Sequence, residues 1–338
     1  VGALDYPASG YIRIGSEVCS FTRSGDVLTI VRGLKGTAAT EHKSGDTVQL
    51  CKEISGETVQ NIVYDLLVNF CGIDGGYLDL INWNAEQTAY LTRLYSALIT
   101  APTGVSKLLT ELCEQVGILL FWDEVKEKLI LKSVRPNSVS ETVTDLTADY
   151  HLLADSLKLK DLNDERVNEA WIYYGLIDFT KNLEEESNYK LLYVDANVSD
   201  QSTNKNRDIR IKKIFSRWIT ETASNAATEL ARKYLERYAV APIEANFNLS
   251  LALADFVRIN SRQYQDFYGN NQDLLLQIVK RKEVLVGTTW AFTARQFAFS
   301  SNANPDRIVD IAVDTWDLDL KAAHDDIYSP ASSGDVVV

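Results

Sequence analysis

Apolar residues in the first part of the chain alternate with polar ones, a pattern typical of half-buried strands. The alternation covers the segments 11–14, 18–21, 27–31 and 48–51. Polar turn signals that contain glycine interrupt it, the clearest being 23–26 (RSGD) and 43–46 (KSGD). The pattern predicts a small antiparallel β module over residues 1–52.

The glycine-rich stretch 33–51 within this module is open to two interpretations, a phosphate-binding loop or the turns of the module. A phosphate loop presents backbone N–H groups at the start of a helix, as in GxxxxGK[ST]. Here Gly33 and Gly36 lead into Thr37 and a polar turn, with no apolar helix following. The sequence therefore favours turns, and a Gly36→Val change should strain the backbone if Gly36 has a positive φ.

Helical periodicity replaces the alternation in the segment 53–140. From Val59 to Phe70 apolar residues recur at i, i+3, i+4 and i+7, which predicts a helix over about 57–71 that ends at Gly72. Asn84 and Gln87 resemble a capping box and predict a second helix from residue 84 to about 98.

A third helix and a hairpin complete this segment. The helix is predicted over 105–116, with Gly117 as its C-terminal stop. Two apolar strands, 118–122 and 129–134, follow directly and are joined by a charged turn. Residues 53–140 are therefore expected to form an α+β unit with an aliphatic interior.

Strands dominate again from 141 to 328, around one long helix predicted at 222–239. The predicted strands are 167–177, 190–194, 244–251, 256–259, 274–279, 283–286 and 290–299, and 181–188 and 195–208 are predicted loops. The closing strands suit a small barrel, and residues after about Asp319, above all 329–338, suit a tail. The predicted fold class is α+β and β-rich: an antiparallel β module and small β-barrel domains with packed amphipathic helices.

Composition and charge narrow the classes of function. The 338 residues are 46% hydrophobic and 24% charged, an ordinary globular composition, and the net charge is −13. So negative a surface repels phosphate backbones, which argues against stable nucleic-acid binding. A membrane span and a secretory signal are not expected, so the protein is predicted to be soluble. The start at Val1 and the lack of Met predict an excerpt of a longer chain, or modified Met residues missing from the printed sequence.

The cysteines, Cys19, Cys51, Cys71 and Cys113, are widely separated and form no CxxC pair. Buried, unpaired thiols are the favoured interpretation, because Cys71 and Cys113 lie on apolar helix faces. A metal or iron–sulfur site assembled in space is the alternative, and a reducing compartment fits both.

Recognisable catalytic frames are lacking. The histidines, His42, His151 and His324, stand beside no plausible nucleophile, and GxSxG, HExxH, CxxC and EF-hand patterns do not occur. Asp123 and Glu124 suit a hairpin turn. The series Asp310, Asp314, Asp317 and Asp319 suits solvated strand ends, with an intersubunit ion site as the alternative. A catalytic pair of carboxylates that come together only in the folded structure stays an open alternative. We nevertheless predict no catalytic residue, no cofactor and no enzyme activity.

The tryptophans have two interpretations, core residues or platforms that stack on sugars. They are Trp83, Trp122, Trp171, Trp218, Trp290 and Trp316. Aromatic residues scattered along β-rich chains are more often part of the core, which favours the first interpretation.

Two stretches resemble phage tail proteins. Residues 8–51 carry G-x-I-x-I-G, then R-G-x-x-G-T-x-A-x-x-H, then G-D-x-V, a pattern similar to a β module of siphophage tail-tip and hub proteins. Residues 99–136, with a P-x-x-V helix running into a W-D hairpin that ends near R-P, resemble another part of those hubs. Residues 222–242 resemble the helix that precedes a barrel in baseplate-hub and late-control proteins.

The resemblance implies a structural role at the tip of a non-contractile tail. Such hubs are homotrimers that close the tail tube, join it to the distal tail protein and central fibre, and meet the tape measure protein. The implied location is the virion tail tip, after assembly in the host cytoplasm, with DNA passing through an acidic lumen. Some hubs hold an iron–sulfur cluster, whose clustered ligand motif the dispersed cysteines do not match. The competing hypothesis is a tail-associated protein that binds carbohydrate or degrades the cell wall of the host.

Overall fold

The computed structural model describes residues 5–124, 126–135, 142–153, 155–167, 169–195, 209–238, 243–249, 253–265, 268–285 and 289–296. It has the predicted α+β, β-rich class. These described residues divide into two compact units: unit 1 takes in those within 1–134, 169–194 and 211–233, and unit 2 those within 135–168, 195–210 and 234–338. Each unit is built from several separate stretches of the chain, whereas the predicted domains, with boundaries at 52 and 140, are consecutive segments. The predicted boundaries therefore stay a prediction.

The β module opens unit 1. Strands β1 (Ser9–Ile14), β2 (Glu17–Ser24), β3 (Val27–Leu34), β4 (Val48–Thr58) and β5 (Leu94–Ile99) form an antiparallel sheet in the order β3-β2-β1-β4-β5. Gly15 and Gly25 have φ of 58° in the two short turns that join the first three strands, as two-residue hairpin loops require. The alternation of residues 11–51 is confirmed as the two faces of this sheet.

The first predicted helix is confirmed with a change of pitch. Helix α1 (Val59–Tyr64) continues into a π-helical turn (Asp65–Phe70), and Gly72 follows with φ 71°. Its buried residues include Ile62 and Leu66. The apolar face therefore packs as the spacing predicts, while the wider π turn was not predicted.

The second predicted helix was wrong at both ends. Helix α2 spans Leu80–Tyr90, and after a three-residue connection the end of the predicted helix belongs to strand β5. Gln87 lies inside α2, where its Oε1 accepts from the Gln60 N–H in the first turn of α1 at 3.1 Å, so it does not cap the start of α2. Residues 94–99 become a strand because they pair with β4, and this tertiary pairing outweighs local helix propensity.

The third helix and the hairpin are confirmed. Helix α3 spans Val105–Val116 and ends at Gly117 with φ 75°, and strands β6 (Ile118–Asp123) and β7 (Lys128–Ser133) pair directly after it. Helices α1 to α3, β5 and the hairpin share one core. Its fully buried centre contains Trp83, Leu112 and Leu131.

A three-stranded sheet completes unit 1. Strands β10 (Glu169–Tyr174), β11 (Lys190–Asp195) and β12 (Ile211–Phe215) lie in the order β11-β10-β12, and β10 and β12 are parallel. The sequence predicted β10 and β11 but not β12. Helix α5 spans Ser224–Tyr238, close to its predicted range, and buries Ala227 and Ala231.

Unit 2 is built on a six-stranded sheet in the order β8-β14-β15-β16-β13-β9. Its strands are β8 (Val143–Thr147), β9 (Lys158–Asp161), β13 (Ile243–Leu249), β14 (Phe256–Gln265), β15 (Asn271–Leu285) and β16 (Thr289–Gln296), and the short helix α4 (Ala148–His151) follows β8. The pairing of β8 with β14 is parallel, so the sheet is mixed. Among the described residues no ladder joins the end strands β8 and β9, and closure into a barrel stays a prediction.

Two predictions for this sheet need correction. Strands β8 and β9 were not predicted, because the pairing partners that make them strands lie about a hundred residues away. The predicted strands 274–279 and 283–286 are one strand, β15, which crosses the polar residues between them with register shifts after Ile278 and Glu283. A β-bulge lets a strand continue through a local break in its alternation.

Two further expectations concern the chain as a whole. None of the helices that the structure describes has the length and apolar character that crossing a bilayer requires. The predicted tail, 329–338, lies outside the described residues, as does nearly all of the predicted loop 195–208.

Candidate functional site

The most concentrated polar arrangement in unit 1 surrounds the carboxylate of Glu17, the first residue of β2. Its side chain has no exposed surface. Arg32, near the end of the neighbouring strand β3, donates to it through Nε at 3.0 Å and Nη2 at 2.6 Å. The antiparallel pairing of β2 with β3, which shifts register between Val18 and Ser20, brings these two side chains within reach of each other.

The end of β3, the loop that follows it and β2 itself supply the other donors. The backbone N–H groups of Gly33 and Thr40 each lie 2.9 Å from a Glu17 oxygen, and His42 Nε2 lies 2.8 Å from Oε2. The Cys19 thiol donates to Oε1 at 3.4 Å. The carboxylate is therefore the centre around which residues 33–42 are folded, and we name this group, with Arg32, the Glu17 network.

Thr37 fastens the same loop to β2. Its Oγ1 accepts from the Val18 N–H at 3.0 Å and donates to the Leu34 carbonyl at 2.7 Å. Asp46, four residues after His42, accepts from the Lys43 N–H at 2.8 Å. The R-G-x-x-G-T-x-A-x-x-H pattern, residues 32–42, thus corresponds to side chains and amides that hold one loop against one strand.

The phosphate-loop interpretation of the glycine-rich stretch fails on this geometry. Such a loop must turn its backbone N–H groups toward an external anion. Here the amides of Gly33 and Thr40 already bind the chain's own carboxylate, and β4, a strand, follows the loop. The turn interpretation is confirmed.

Gly36 marks a point of close backbone approach within unit 1. Its φ is 76°, and a Cβ built on it would lie 1.9 Å from the Ile177 carbonyl oxygen. The segment after Ile177 contacts the module as well, since Thr180 Oγ1 donates to the Ser16 carbonyl at 3.4 Å. The positive φ assumed from the sequence is confirmed, and the close contact is an additional constraint that the sequence did not reveal.

Charge and hydrogen bonding act together on Glu17. The hydrogen bonds from Arg32 lower the pKa of its carboxyl far below the ordinary range, burial opposes this, and the donors Thr40, His42 and Gly33 lower the pKa further. The carboxylate is therefore ionised at neutral pH.

A dependence on pH follows, because the folded-state pKa of Glu17 is depressed relative to the unfolded value of about 4.3. Its contribution to stability is fully present above that value and is lost as the pH falls below it. We expect the difference in melting temperature between the natural chain and a Glu17→Gln variant to narrow from about pH 7 to about pH 3. Thermal unfolding followed by circular dichroism measures it, and a difference that stays constant with pH would contradict it.

The four cysteines do not converge. Cys19 packs with Ile12 and Phe21, and Cys51 packs with Val18 and Leu98, on the other face of the sheet. Cys71 is exposed, and burial raises the pKa of the Cys51 and Cys113 thiols to about 11 each. In the part of the chain that the structure describes, no group of three His, Cys, Asp or Glu residues is placed to hold a metal ion.

The remaining candidates have local roles. His151 Nδ1 accepts from the Thr147 N–H at 3.0 Å, and Asp123 Oδ1 accepts from the Lys126 N–H at 3.1 Å in its hairpin turn. His42 was a candidate without a partner, and the structure assigns it to the Glu17 network. Other candidates lie outside the described residues: His324, Asp310, Asp314, Asp317, Asp319 and Trp316.

The tryptophans mostly support the core interpretation. Trp83 and Trp218 are completely buried, and Trp171 and Trp290 are partly buried. Trp122 is the exposed one of the described five, at 47%, and its ring meets that of Tyr77 at an interplanar angle of 62°. Two rings at that angle do not form the flat platform on which a sugar stacks.

Sequence reasoning missed Glu17 and Arg32, the two charges at the centre of the network. A signal existed, since a glutamate stands at the beginning of a strand that is otherwise apolar at alternate positions. A charge in such a position requires a partner. Which arginine supplies it depends on strand pairing and could not be known from spacing.

No protein-family model and no curated protein matches the chain. Solved structures similar to it include a chain of the virion of a native gene transfer agent particle, with 12% identity and a TM-score of 0.46 over 71% of this chain and 47% of that one. This chain thus spans about half of that protein's length.

Two further similar structures are prophage tail proteins. The tail protein gp18 from Listeria monocytogenes EGD-e has 10% identity and a TM-score of 0.40, over 90% of this chain and 93% of that one. The 43 kDa tail protein of prophage MuSo2 from Shewanella oneidensis has 12% identity and a TM-score of 0.41, over 86% and 85%. The named neighbours are thus proteins of phage tails and related particles.

Proposed function

We propose that this chain is a structural component of a non-contractile phage tail tip, a trimeric hub that closes the tail tube and joins it to the distal tail protein and central fibre. The observation that carries the proposal is the Glu17 network. Arg32, Gly33 and His42 of the network belong to the motif by which the sequence resembles tail hubs, and they are engaged in shaping a loop. A motif used in this way suits a rigid building block.

The edge of the β module supports a role in assembly. Strand β3 is the outer strand of its sheet, and Val27, Ile30 and Val31 are 65%, 37% and 59% exposed. It is eight residues long and contains neither lysine nor proline. Soluble proteins usually protect such an edge because its unpaired backbone groups attract other strands. A neighbouring subunit that pairs with or covers β3 would remove that hazard.

The charge of the chain fits the same role. At −13, copies of the chain around a channel would present an acidic surface, along which DNA passes without binding. The proposed partners are two further copies of the chain, the tail tube protein, the distal tail protein, the tape measure protein and the central fibre.

The proposal predicts a trimer that the exposed edge helps to hold. We expect light scattering after size-exclusion chromatography to give a mass three times that of the chain. A Val31→Lys change should shift it toward the monomer, because a charge on an edge strand opposes further pairing. Thr110→Lys, on the exposed face of α3, is the control and should keep the trimer.

Two results would argue against the hub. If the natural chain is a monomer in solution, the proposed trimer is wrong. If that monomer also binds purified host cell wall, the result favours the envelope-binding hypothesis. A trimer unaffected by Val31→Lys would leave the hub standing and exclude β3 from its interface.

A further inference from the structure

One face of the unit 2 sheet carries a row of polar side chains across four adjacent strands. Lys158 on β9 is paired with Asn246 on β13, Asn246 with Thr293 on β16, and Thr293 with Lys280 on β15. Paired residues project from the same face of a sheet. With neighbouring strands about 4.8 Å apart, the backbones of the two lysines lie about 14 Å apart.

A second, parallel row extends this surface. Asn248 is paired with Ala291, and Ala291 with Lys282. The residues that alternate with these rows, Phe247 and Phe292, are buried in the core on the opposite face. The polar rows therefore form the outer face of a sheet whose inner face is fully packed, which gives them a rigid base.

A cavity of about 570 Å³ lies over the two rows. The segment that precedes β9 forms one of its walls with Leu153, Asp155 and Ser156, and Ser156 Oγ accepts from the Asn248 N–H at 3.4 Å. The volume falls within the range of about 300 to 1,000 Å³ that is usual for ligand sites. Three lysines face one aspartate here, so the charge of the lining is positive.

The three cavity lysines differ from the lysines that form ion pairs in the chain. Within the described residues none of them has a carboxylate partner, and Lys158, Lys280 and Lys282 are all exposed. Several other lysines do pair with carboxylates, as in Lys52–Asp65 at 2.8 Å and Lys213–Glu186 at 2.7 Å. In a chain with 47 acidic residues, three unpaired lysines around one cavity form a local positive site within a negative protein.

We infer that this cavity binds an acidic segment of a partner polypeptide, with carboxylates at the lysines and peptide groups at the asparagines. Asn246 Oδ1 already accepts from Thr293 Oγ1 at 2.9 Å, which orients its amide group. Asparagine amides both donate and accept, as peptide groups do, whereas a phosphodiester backbone offers acceptors alone. The net charge of the chain also opposes the approach of a long polyanion.

The site depends on unit 2 alone and does not rest on the proposed tail function. It would give an acidic partner a defined position on an otherwise repelling surface. Because the lysines are exposed, the attraction is moderate and falls with ionic strength.

Fluorescence anisotropy with the full chain tests the inference, using a short labelled peptide of alternating Glu and Gly. We expect saturable binding that weakens at high salt and becomes at least about fivefold weaker in a Lys280→Gln, Lys282→Gln variant. The matched control is Lys43→Gln, Lys107→Gln, which makes the same change in net charge at exposed lysines of unit 1 and should leave the affinity unchanged.

A charge-reversed variant distinguishes charge complementarity from a general loss of peptide binding. With Lys280→Glu and Lys282→Glu, the preference should switch to a labelled peptide of alternating Lys and Gly. Three outcomes would overturn the inference: no binding of the acidic peptide, equal weakening in both glutamine variants, or tighter binding of a single-stranded oligonucleotide of equal charge with the same lysine dependence. The last outcome would identify a nucleic-acid site.

Discussion

Replacing Glu17 by Gln is expected to lower the free energy of unfolding by about 3 kcal/mol. The change is nearly isosteric, so packing is preserved while the charge is lost. Arg32 then loses its carboxylate, and an amide oxygen cannot accept from all the donors that the carboxylate satisfies at Gly33, Thr40 and His42. Denaturant unfolding followed by circular dichroism measures the effect.

Glu53→Gln is the matched control for this prediction. Glu53 pairs with Lys35 at 3.4 Å, with both side chains substantially exposed, and an exposed ion pair contributes at most about 1 kcal/mol. The two variants change the same residue type and the same net charge. Equal destabilisation by both would show that the burial and multiple donors of Glu17 contribute nothing beyond a surface pair.

Replacing Gly36 by Val is expected to destabilise the fold by about 2 to 5 kcal/mol, from left-handed backbone strain and steric overlap together. The φ of 76° disfavours any residue with a Cβ, and a β-branched one above all. The added Cβ would also lie 1.9 Å from the Ile177 carbonyl oxygen, so one of the two backbone segments must move.

Gly15→Val separates the two causes. Gly15 has a φ of 58°, also in the left-handed region, and a Cβ there would meet nothing within 4 Å. The Gly15→Val variant therefore shares the backbone strain without the steric overlap. Its melting temperature should fall less than that of the Gly36→Val variant. If Gly36→Val proved no more harmful than Gly15→Val, the close approach to Ile177 would have no energetic weight.

Local patterns predicted the elements whose stability comes from neighbouring residues. Helix α3 and the hairpin after it follow from apolar spacing, a left-handed glycine at residue 117 and a charged turn, all within thirty residues of one another. The strands of the β module follow from simple alternation and short glycine turns. In these segments local preference and tertiary packing favour the same conformation.

Prediction failed where distant partners decide the conformation. Residues 94–99 were assigned to a helix and form β5, because β4 offers them a ladder. Strand β8 pairs in parallel with β14, and β12 pairs in parallel with β10, but neither strand shows its pairing in its local sequence. The polar residues 280–282 suggested a turn where β15 continues. For β5, β8 and β12 the hydrogen-bond partner lies well beyond any window in which periodicity is visible.

The sequence by itself determined the α+β class, the amphipathic helices and the turn positions, because periodicity and glycine placement act over a few residues. Only the tertiary structure decided the surroundings of Glu17 and the polar rows of unit 2. Both depend on strand register, which brings Arg32 within reach of Glu17 and aligns Lys158 with Lys280, 122 residues further along the chain. Register is a property of pairs of segments, and one segment read alone does not contain it.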